Sequence, residues 1–416
     1  MTSDIKQRIA QIQRGEVPEG YKKCSVGIRP SEWNCKRLKE ICIINPPRTK
    51  TKSEKATFLG MSDVDESGHI LRQNLIDISQ VKEGLTSFEK GDILVAKITP
   101  CFENGKGANT KELCTQTGVG STEFHVLRSK INADFIFYHT LSRTFRRKLE
   151  IEMTGSAGQK RVQTDSLANY EIAVPYIQEQ QNIAAVLMTQ DKIIELKEKL
   201  LAEKQHQKKY LMQQLLTGKR RLPGFSGEWG SERLGKLFYE RKETNCETLE
   251  MLAITGTQGI IPRKELNLKD NSSEDKSKYL KICVGDIGYN TMRMWQGVSA
   301  YSNYEGIVSP AYTILKPNHN INAKYFAYLF KMPEMVFLFY RFSQGLVDDT
   351  RNLKYENFKK IKVLYPKDEK EQTAIVEVLS TADHEIDLLQ KNIEQEKQKK
   401  KALMQLLLTG IVRVNI

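Results

Sequence analysis

The seven cysteines of this 416-residue chain include no C-x-x-C pair, and seven is an odd number. A secreted disulfide framework fails on both counts, and the reduced thiols of a cytosolic protein fit better. Long hydrophobic runs are also missing. The longest, "MVFLFY" at 335–340, is far short of the roughly 20 residues a membrane-spanning helix needs. The N-terminal "MTSDIKQRIAQIQRGE" is charged throughout and has no apolar centre, so no signal peptide is expected. Six histidines are scattered without H-E-x-x-H or any His/Cys cluster, which argues against a metal site. His125 and His139 read as packed or surface residues. No G-x-S-x-G, Walker A or paired-carboxylate pattern occurs. Asp348 and Asp349 in "VDDT" have no P-D…E-x-K beside them and read as a turn.

What is present is length, positive charge and repetition. A chain of 416 residues is too long for one ordinary core, and two domains are the natural expectation. Apolar residues make up 39% and charged residues 28%, a globular composition. The formal net charge of +13 favours a polyanionic partner such as nucleic acid or a membrane surface.

The repetition is direct. "LMQQLLTG" ends at Gly218 and "LMQLLLTG" at Gly410, 192 positions apart. Other segments recur in the same order. Glu32–Trp33 is matched by Glu228–Trp229, and each is followed by Arg-Leu. "KGDI" ending at Ile93 is matched by "VGDI" ending at Ile287, and "INADFIFYHTL" from Ile131 by "INAKYFAYLF" from Ile321. "VPYIQEQQNIAAVL" from Val174 is matched by "YPKDEKEQTAIVEVL" from Tyr365. The offset drifts within each half, which indicates loop insertions. From Glu179 and Glu371 onward it is constant, which indicates one rigid element.

That element reads as a long helix. Ile183, Leu187, Gln190, Ile194, Lys197, Leu201, Lys204, Lys208, Leu211 and Leu215 fall at alternating steps of four and three. So do Ile375, Leu379, Ala382, Ile386, Leu389, Ile393, Glu396, Lys400, Leu403 and Leu407. This is a heptad seam, thinner and richer in lysine in the first copy. Each copy ends in Thr-Gly, the residue type favoured just past a helix, and Pro223 blocks continuation of the first. At ~1.5 Å per residue such a helix runs to roughly 58 Å, more than a small domain covers, so each copy needs the other. The expected architecture is α/β: two duplicated mixed α/β domains joined by two long antiparallel coiled-coil helices, a domain at each end. The divisions are a segment 1–33, a first domain 34–175, a helix 176–222, a second domain 223–366 and a helix 367–416.

One stretch imitates chemistry. Asn45-Pro46-Pro47 followed by an aromatic residue would be the motif of amino-methyltransferases acting on adenine or cytosine, but Arg48 stands in the aromatic's place. No Gly-rich cofactor loop follows a convincing strand, and the repeat partner "LFYERKET" lacks the motif. A Pro-rich turn after a strand is the better reading. The polar, Gly-punctuated loops 97–109 and 155–164, with their counterparts 291–306 and 343–352, mix cations, amides and aromatics suited to phosphates and base edges. Lys97, Asn104, Lys106, Gln159, Lys160 and Arg161 are the candidate DNA contacts in the first half. Arg293, Trp295, Gln296, Tyr304, Arg351 and Asn352 are those in the second.

With these segments laid side by side, the chain resembles the specificity subunits of Type I restriction–modification systems. The likeness rests on the duplicated "LMQ.LLTG" helix ends, the "RRLPGFSGEW" restart at 220–229, and the Pro…Glu-Gln that opens each helix (Pro175, Glu179, Gln180; Pro366, Glu371, Gln372). It covers nearly the whole chain. It implies two target recognition domains, each reading half of a bipartite site in double-stranded DNA, and no catalysis by this chain. It also implies two modification subunits that bind S-adenosylmethionine, restriction/translocase subunits joining them, no membrane, and a bacterial or archaeal cytoplasm. Two readings compete with it: an amino-methyltransferase using Asn45-Pro46-Pro47, and a coiled-coil adaptor without nucleic acid.

Overall fold

The computed structural model describes residues 3–48, 54–80, 84–156, 158–256, 258–266 and 275–414. It divides into two compact units, Met1–Lys197 with Asn392–Ile416, and Glu198–Lys391. The long helices are Ile177–Leu215 and Glu369–Leu407, 39 residues each. Each unit holds one end of both.

The first unit is built on an antiparallel sheet of Cys42–Ile44, Phe124–Ser129, Ile93–Ala96 and Gly107–Asn109, in that order across the sheet. The second has the matching sheet, Phe238–Arg241, Tyr312–Pro317, Ile287–Asn290 and Ser299–Tyr301. The repeated Gly-Asp-Ile opens the third strand of each sheet. Gly91 and Gly285 sit at φ +94°, a left-handed turn that glycine makes without steric cost. The following aspartate accepts the N–H three residues back, Asp92 from Glu89 (2.7 Å) and Asp286 from Cys283 (2.8 Å). Both aspartates are buried, and each meets an arginine, Arg128 or Arg241. The first unit adds a second sheet of Asn74–Asp77, Lys55–Leu59, Thr117–Gly120 and Thr86–Glu89, with one parallel pair. Among the described residues, the second unit has two-stranded ribbons there.

In the first unit, residues 133–151 form two helices with a break at Ser142. Ser142 is extended and its hydroxyl accepts the N–H of Phe145 (3.3 Å), so Ala133–Leu141 and Arg143–Ile151 are separate helices. The matching stretch breaks before Pro333 into Ala323–Leu329 and Pro333–Phe342, because the residue before a proline is disfavoured in the helical region.

In each unit the last strand pairs antiparallel with the strand that follows the Glu-Trp repeat or begins at its tryptophan, Glu171–Val174 with Asn34–Arg37 and Lys362–Pro366 with Trp229–Arg233. This sets the tryptophan of the Glu-Trp repeat beside the start of a long helix. The Glu-Gln repeat then has a clear role. Gln180 donates to Pro175 O (2.8 Å) and accepts the N–H of Asn132 (3.1 Å). Gln372 does the same with Pro366 O (2.8 Å) and Asn322 N–H (2.8 Å). Asn132 and Asn322 cap the next helix through their side chains, so one glutamine fixes strand end, long helix and domain helix together.

The preceding glutamate is fully buried in both units. Glu179 accepts from Arg413 (2.5 and 2.9 Å) and from the Trp33 indole (3.0 Å). Glu371 accepts from Arg221 (2.5 and 2.7 Å). Each arginine lies three residues past the glycine that stops the other long helix. Gly410 and Gly218 both have φ +70°. A Cβ at 410 would stand 2.6 Å from Pro30 and 3.2 Å from Trp33, and one at 218 would stand 3.3 Å from the Trp229 ring. The recurring Leu-Leu-Thr-Gly is therefore a helix end that must pass flat against a tryptophan and deliver an arginine.

The two helices run antiparallel in each unit. In the first, Asp191 meets Lys400 (2.5 Å) and Lys197 meets Glu396 (2.7 Å). In the second, Lys204 meets Glu385 (2.7 Å) and Lys208 meets Asp383. Rising along one helix means descending the other. Every position of both heptad series is buried or half-buried. The lysines that thin the first seam each face an acid on the other helix. A tyrosine from the domain joins in both units, Tyr138 to Asp191 (2.8 Å) and Tyr328 to Asp383 (2.6 Å).

Two stability outcomes are expected. Arg413→Met or Arg221→Met leaves a buried carboxylate without its cation, which costs about 3 kcal/mol, read as a lower urea midpoint at unchanged slope. Second, burial pushes the His139 imidazole down to about 3, and its counterpart in the repeat is the buried Leu329. An unfolded histidine takes up a proton below about 6.5, while the folded one stays neutral until about 3. Stability is thus lost as pH falls through that window. His139→Leu should flatten this acid sensitivity relative to the parent chain, measured by melting temperature against pH.

Candidate functional site

In each unit two loops emerge beside one another and are stitched by backbone hydrogen bonds. In the first unit Lys97 O accepts Val162 N–H (2.8 Å) and Thr99 N–H donates to Lys160 O (3.0 Å). Thr154 and Arg161 exchange both bonds (3.1 and 2.8 Å). In the second, Thr291 O accepts Leu353 N–H (2.8 Å), and Gln344 and Asn352 exchange both bonds (2.8 and 2.7 Å). The returning loop starts at Gly155 (φ +131°) or Gly345 (φ +135°), where a Cβ would lie 2.8 or 2.6 Å from a backbone oxygen. The outgoing loop closes at Gly105 (φ +88°) or Gly297 (φ +78°). A cation sits beneath it, buried in the first unit and half-buried in the second. Arg146 donates to Phe102 O (3.0 Å) and Gly105 O (3.2 Å), and Lys331 to Gly297 O (2.9 Å). Burial pushes Arg146 down to about 9 and Lys331 to about 8.

On this frame Asn104, Gln159 and Lys160 are exposed and Lys97 is half-buried. Lys106 turns away and donates to Met61 O (2.9 Å). Arg161 clasps Glu123 through Nε and Nη2 (both 3.0 Å), which raises the guanidinium's pKa and lowers the carboxyl's. In the second unit Arg293 and Gln296 are exposed. Trp295 donates its indole N–H to Met292 O (2.9 Å) and meets Tyr340 edge to face at 6.3 Å. Arg351 lies 4.0 Å over the Tyr340 ring, bonded to its hydroxyl (2.9 Å) and to Asp348 (2.7 Å). The Asn352 Oδ1 is buried and accepts no hydrogen bond from the described residues.

Tyr304 is not brought to this cluster. It follows Ser302, which is bonded to Gly285 and Asp286 at the opposite end of the strand Ile287–Asn290. Arg161 and Arg351 lie in equivalent loops but at different registers: Asn352 matches Arg161, and Arg351 matches Lys160. The returning loop of the second unit is one residue longer, so counting forward from Gly155 and Gly345 pairs the two arginines, whereas counting back from Val162 and Leu353 does not.

Asn45 closes the strand Cys42–Ile44 at φ +49°. Its Oδ1 accepts Val126 N–H (2.9 Å), and its Nδ2 lies 3.3 Å from His125 Nδ1 and 3.5 Å from Thr164 Oγ1. The amide is engaged within the fold, as a turn after a strand. Thr49 and Lys50 of this stretch lie outside the described residues.

The sequence model of one family, described as the type I restriction modification DNA specificity domain, matches residues 30–204 and again 233–398. The chain belongs to that family. The Type I restriction enzyme EcoEI specificity subunit of Escherichia coli is 37% identical over 199 residues, 44% of this chain and 33% of that one. The EcoAI specificity subunit of the same organism is 38% identical over 161 residues, 37% of this chain and 27% of that one. The matches thus span a third or less of these relatives' length. A solved structure described as the basis of complex assembly and conformational transition of the type I R–M system is 18% identical. It covers 92% of this chain and 99% of its own with a TM-score of 0.58, a likeness of fold. Among the described residues no helix is long and apolar enough to cross a membrane.

Proposed function

We propose that this chain is the non-catalytic specificity subunit of a Type I restriction–modification complex. Each unit reads one half of a bipartite site in double-stranded DNA. The chain also docks two modification subunits, which hold S-adenosylmethionine, and restriction/translocase subunits join them in the cytoplasm of a bacterium or archaeon. The observation that carries this reading is the duplication of one loop frame, set on the same sheet in both units, with exposed cations, amides and aromatics at its rim. A net charge of +13 suits a phosphate backbone. The methyltransferase alternative is disfavoured because the Asn45 amide is tied to Val126 and His125.

The isolated chain is expected to transfer no methyl group to DNA. Pro47→Ala should leave methylation by the assembled complex within a few-fold of the parent. The sharper test exploits duplication. Exchanging residues 34–175 for the matching domain of another such subunit should change one half of the methylated sequence, mapped genome-wide, and leave the other half intact. Alteration of both halves would contradict independent reading.

A further inference from the structure

The stitched frame allows the two units to be matched residue by residue, although their loops differ in length. Gly105 matches Gly297, so Glu103 and Trp295, each two residues earlier, occupy one place. Val162 matches Leu353, so Lys160 and Arg351 occupy another. The buried Leu149 and Phe339 set the helices in register and pair Arg147 with Phe337 and Glu150 with Tyr340.

In the first unit these positions surround a cleft of about 390 Å³, walled by Glu103, Arg147, Glu150, Ile151, Met153 and Lys160. Glu103 Oε1 accepts from the Thr99 hydroxyl (2.7 Å). Its Oε2 is shielded from solvent and accepts no hydrogen bond from the described residues. A carboxylate oxygen in that state gains from an added N–H donor. In the second unit the same places carry aromatic rings. Phe337 is 58% and Tyr340 38% exposed. The Trp295 N–H is engaged by Met292 O and the Tyr340 hydroxyl oxygen accepts from Arg351, so apart from the Tyr340 O–H what remains to offer a ligand is apolar ring surface. Across the matched sites only the cation, Lys160 or Arg351, is kept. A reader needs that division, since a phosphate lies under every sequence while base edges differ.

We propose that Glu103 and Trp295 are the matched base-reading residues of the two units. Glu103 takes a hydrogen bond from an exocyclic amino group, cytosine N4 or adenine N6. Trp295, with Phe337 and Tyr340, packs against a thymine methyl. Lys160 and Arg351 hold the adjoining phosphates. This rests on the DNA-reading function proposed above.

The test uses the full chain assembled with its modification subunits, and duplexes of the site it methylates. In the first half-site each cytosine is replaced in turn by 2-pyrimidinone and each adenine by purine, which deletes one amino group at a time. In the second, each thymine is replaced by uracil. One amino deletion should weaken binding by the parent complex about tenfold, and whether it is a cytosine or an adenine identifies the base. Glu103→Ala should be indifferent to that deletion. One thymine-to-uracil change should weaken binding several-fold for the parent and not for Trp295→Ala. Each variant should keep the preferences of the untouched half-site, which reports that it is folded. A parent complex with sequence preference but no sensitivity to any of these deletions would overturn the inference, with no variant needed. So would variants that retain the sensitivity, or that lose preference at every position of a half-site. A parent complex with no sequence preference would instead overturn the DNA-reading function itself.

Discussion

A buried glutamate held by an arginine from just beyond the other helix's stop is the interaction on which both units close. Glu179 and Glu371 are fully buried, so each carboxylate has left water and must be compensated locally. The compensation comes from Arg413 and Arg221, which reach it only if the opposite long helix ends at the right height and turns flat across a tryptophan. Helix length, glycine stop and arginine are thus one condition. A helix pair slipped by a heptad would still bury leucines and isoleucines, but would strand a charge. The ion pair contributes register more than net stability, the best-attested use of such groups.

The seam between the helices follows the same logic. A strip of aliphatic residues alone would pack in several registers. Lys197, Lys204 and Lys208 interrupt it, and Glu396, Glu385 and Asp383 answer them. Two of the acids at domain level, Asp191 and Asp383, also take a tyrosine hydroxyl from the domain. That links the choice of register along the helices to the seating of the helix carrying Tyr138 or Tyr328. The lysine-rich first seam is therefore half of a polar code whose other half is written in the second copy of the helix.

What the sequence discloses depends on whether the constraint is periodic or relational. The long helices are legible because heptad spacing and a Thr-Gly stop are local signals. Gly-Asp-Ile is legible as a repeat, though its meaning, a turn whose aspartate accepts the N–H three residues back, emerges only with coordinates. The loops behave differently. Their equivalence is set by backbone bonds such as Val162 to Lys97 and Leu353 to Thr291, and insertions on either side conceal it. Hence Arg161 and Arg351, candidate contacts in corresponding loops, stand at different registers, and Glu103, Arg147 and Phe337 are not among the residues that the sequence singles out. The constant spacing from Asn132 and Asn322 through the following helices would have matched Arg147 to Phe337. Nothing comparable marks Glu103. The pairing of Arg161 with Glu123, and the removal of Tyr304 to the far end of its strand, depend on which strands neighbour one another.

A frame that tolerates such different rims must draw its stability from elsewhere. Here it comes from beneath: Arg146 and Lys331 hold loop carbonyls from the buried side, and Gly155 and Gly345 occupy backbone where a side chain would strike main-chain oxygen. Arg146 and Lys331 make these bonds to main-chain oxygens, not to the side chains of the rim positions. Side chains at the rim can therefore change from carboxylate to indole, or from arginine to phenylalanine, without disturbing the bonds that fix the loops, and surface changes of that kind usually cost less than about 0.5 kcal/mol. Duplication of such a unit yields two surfaces free to diverge in what they recognise while the sheet, the glutamine clasp and the Glu–Arg closure beneath them stay the same.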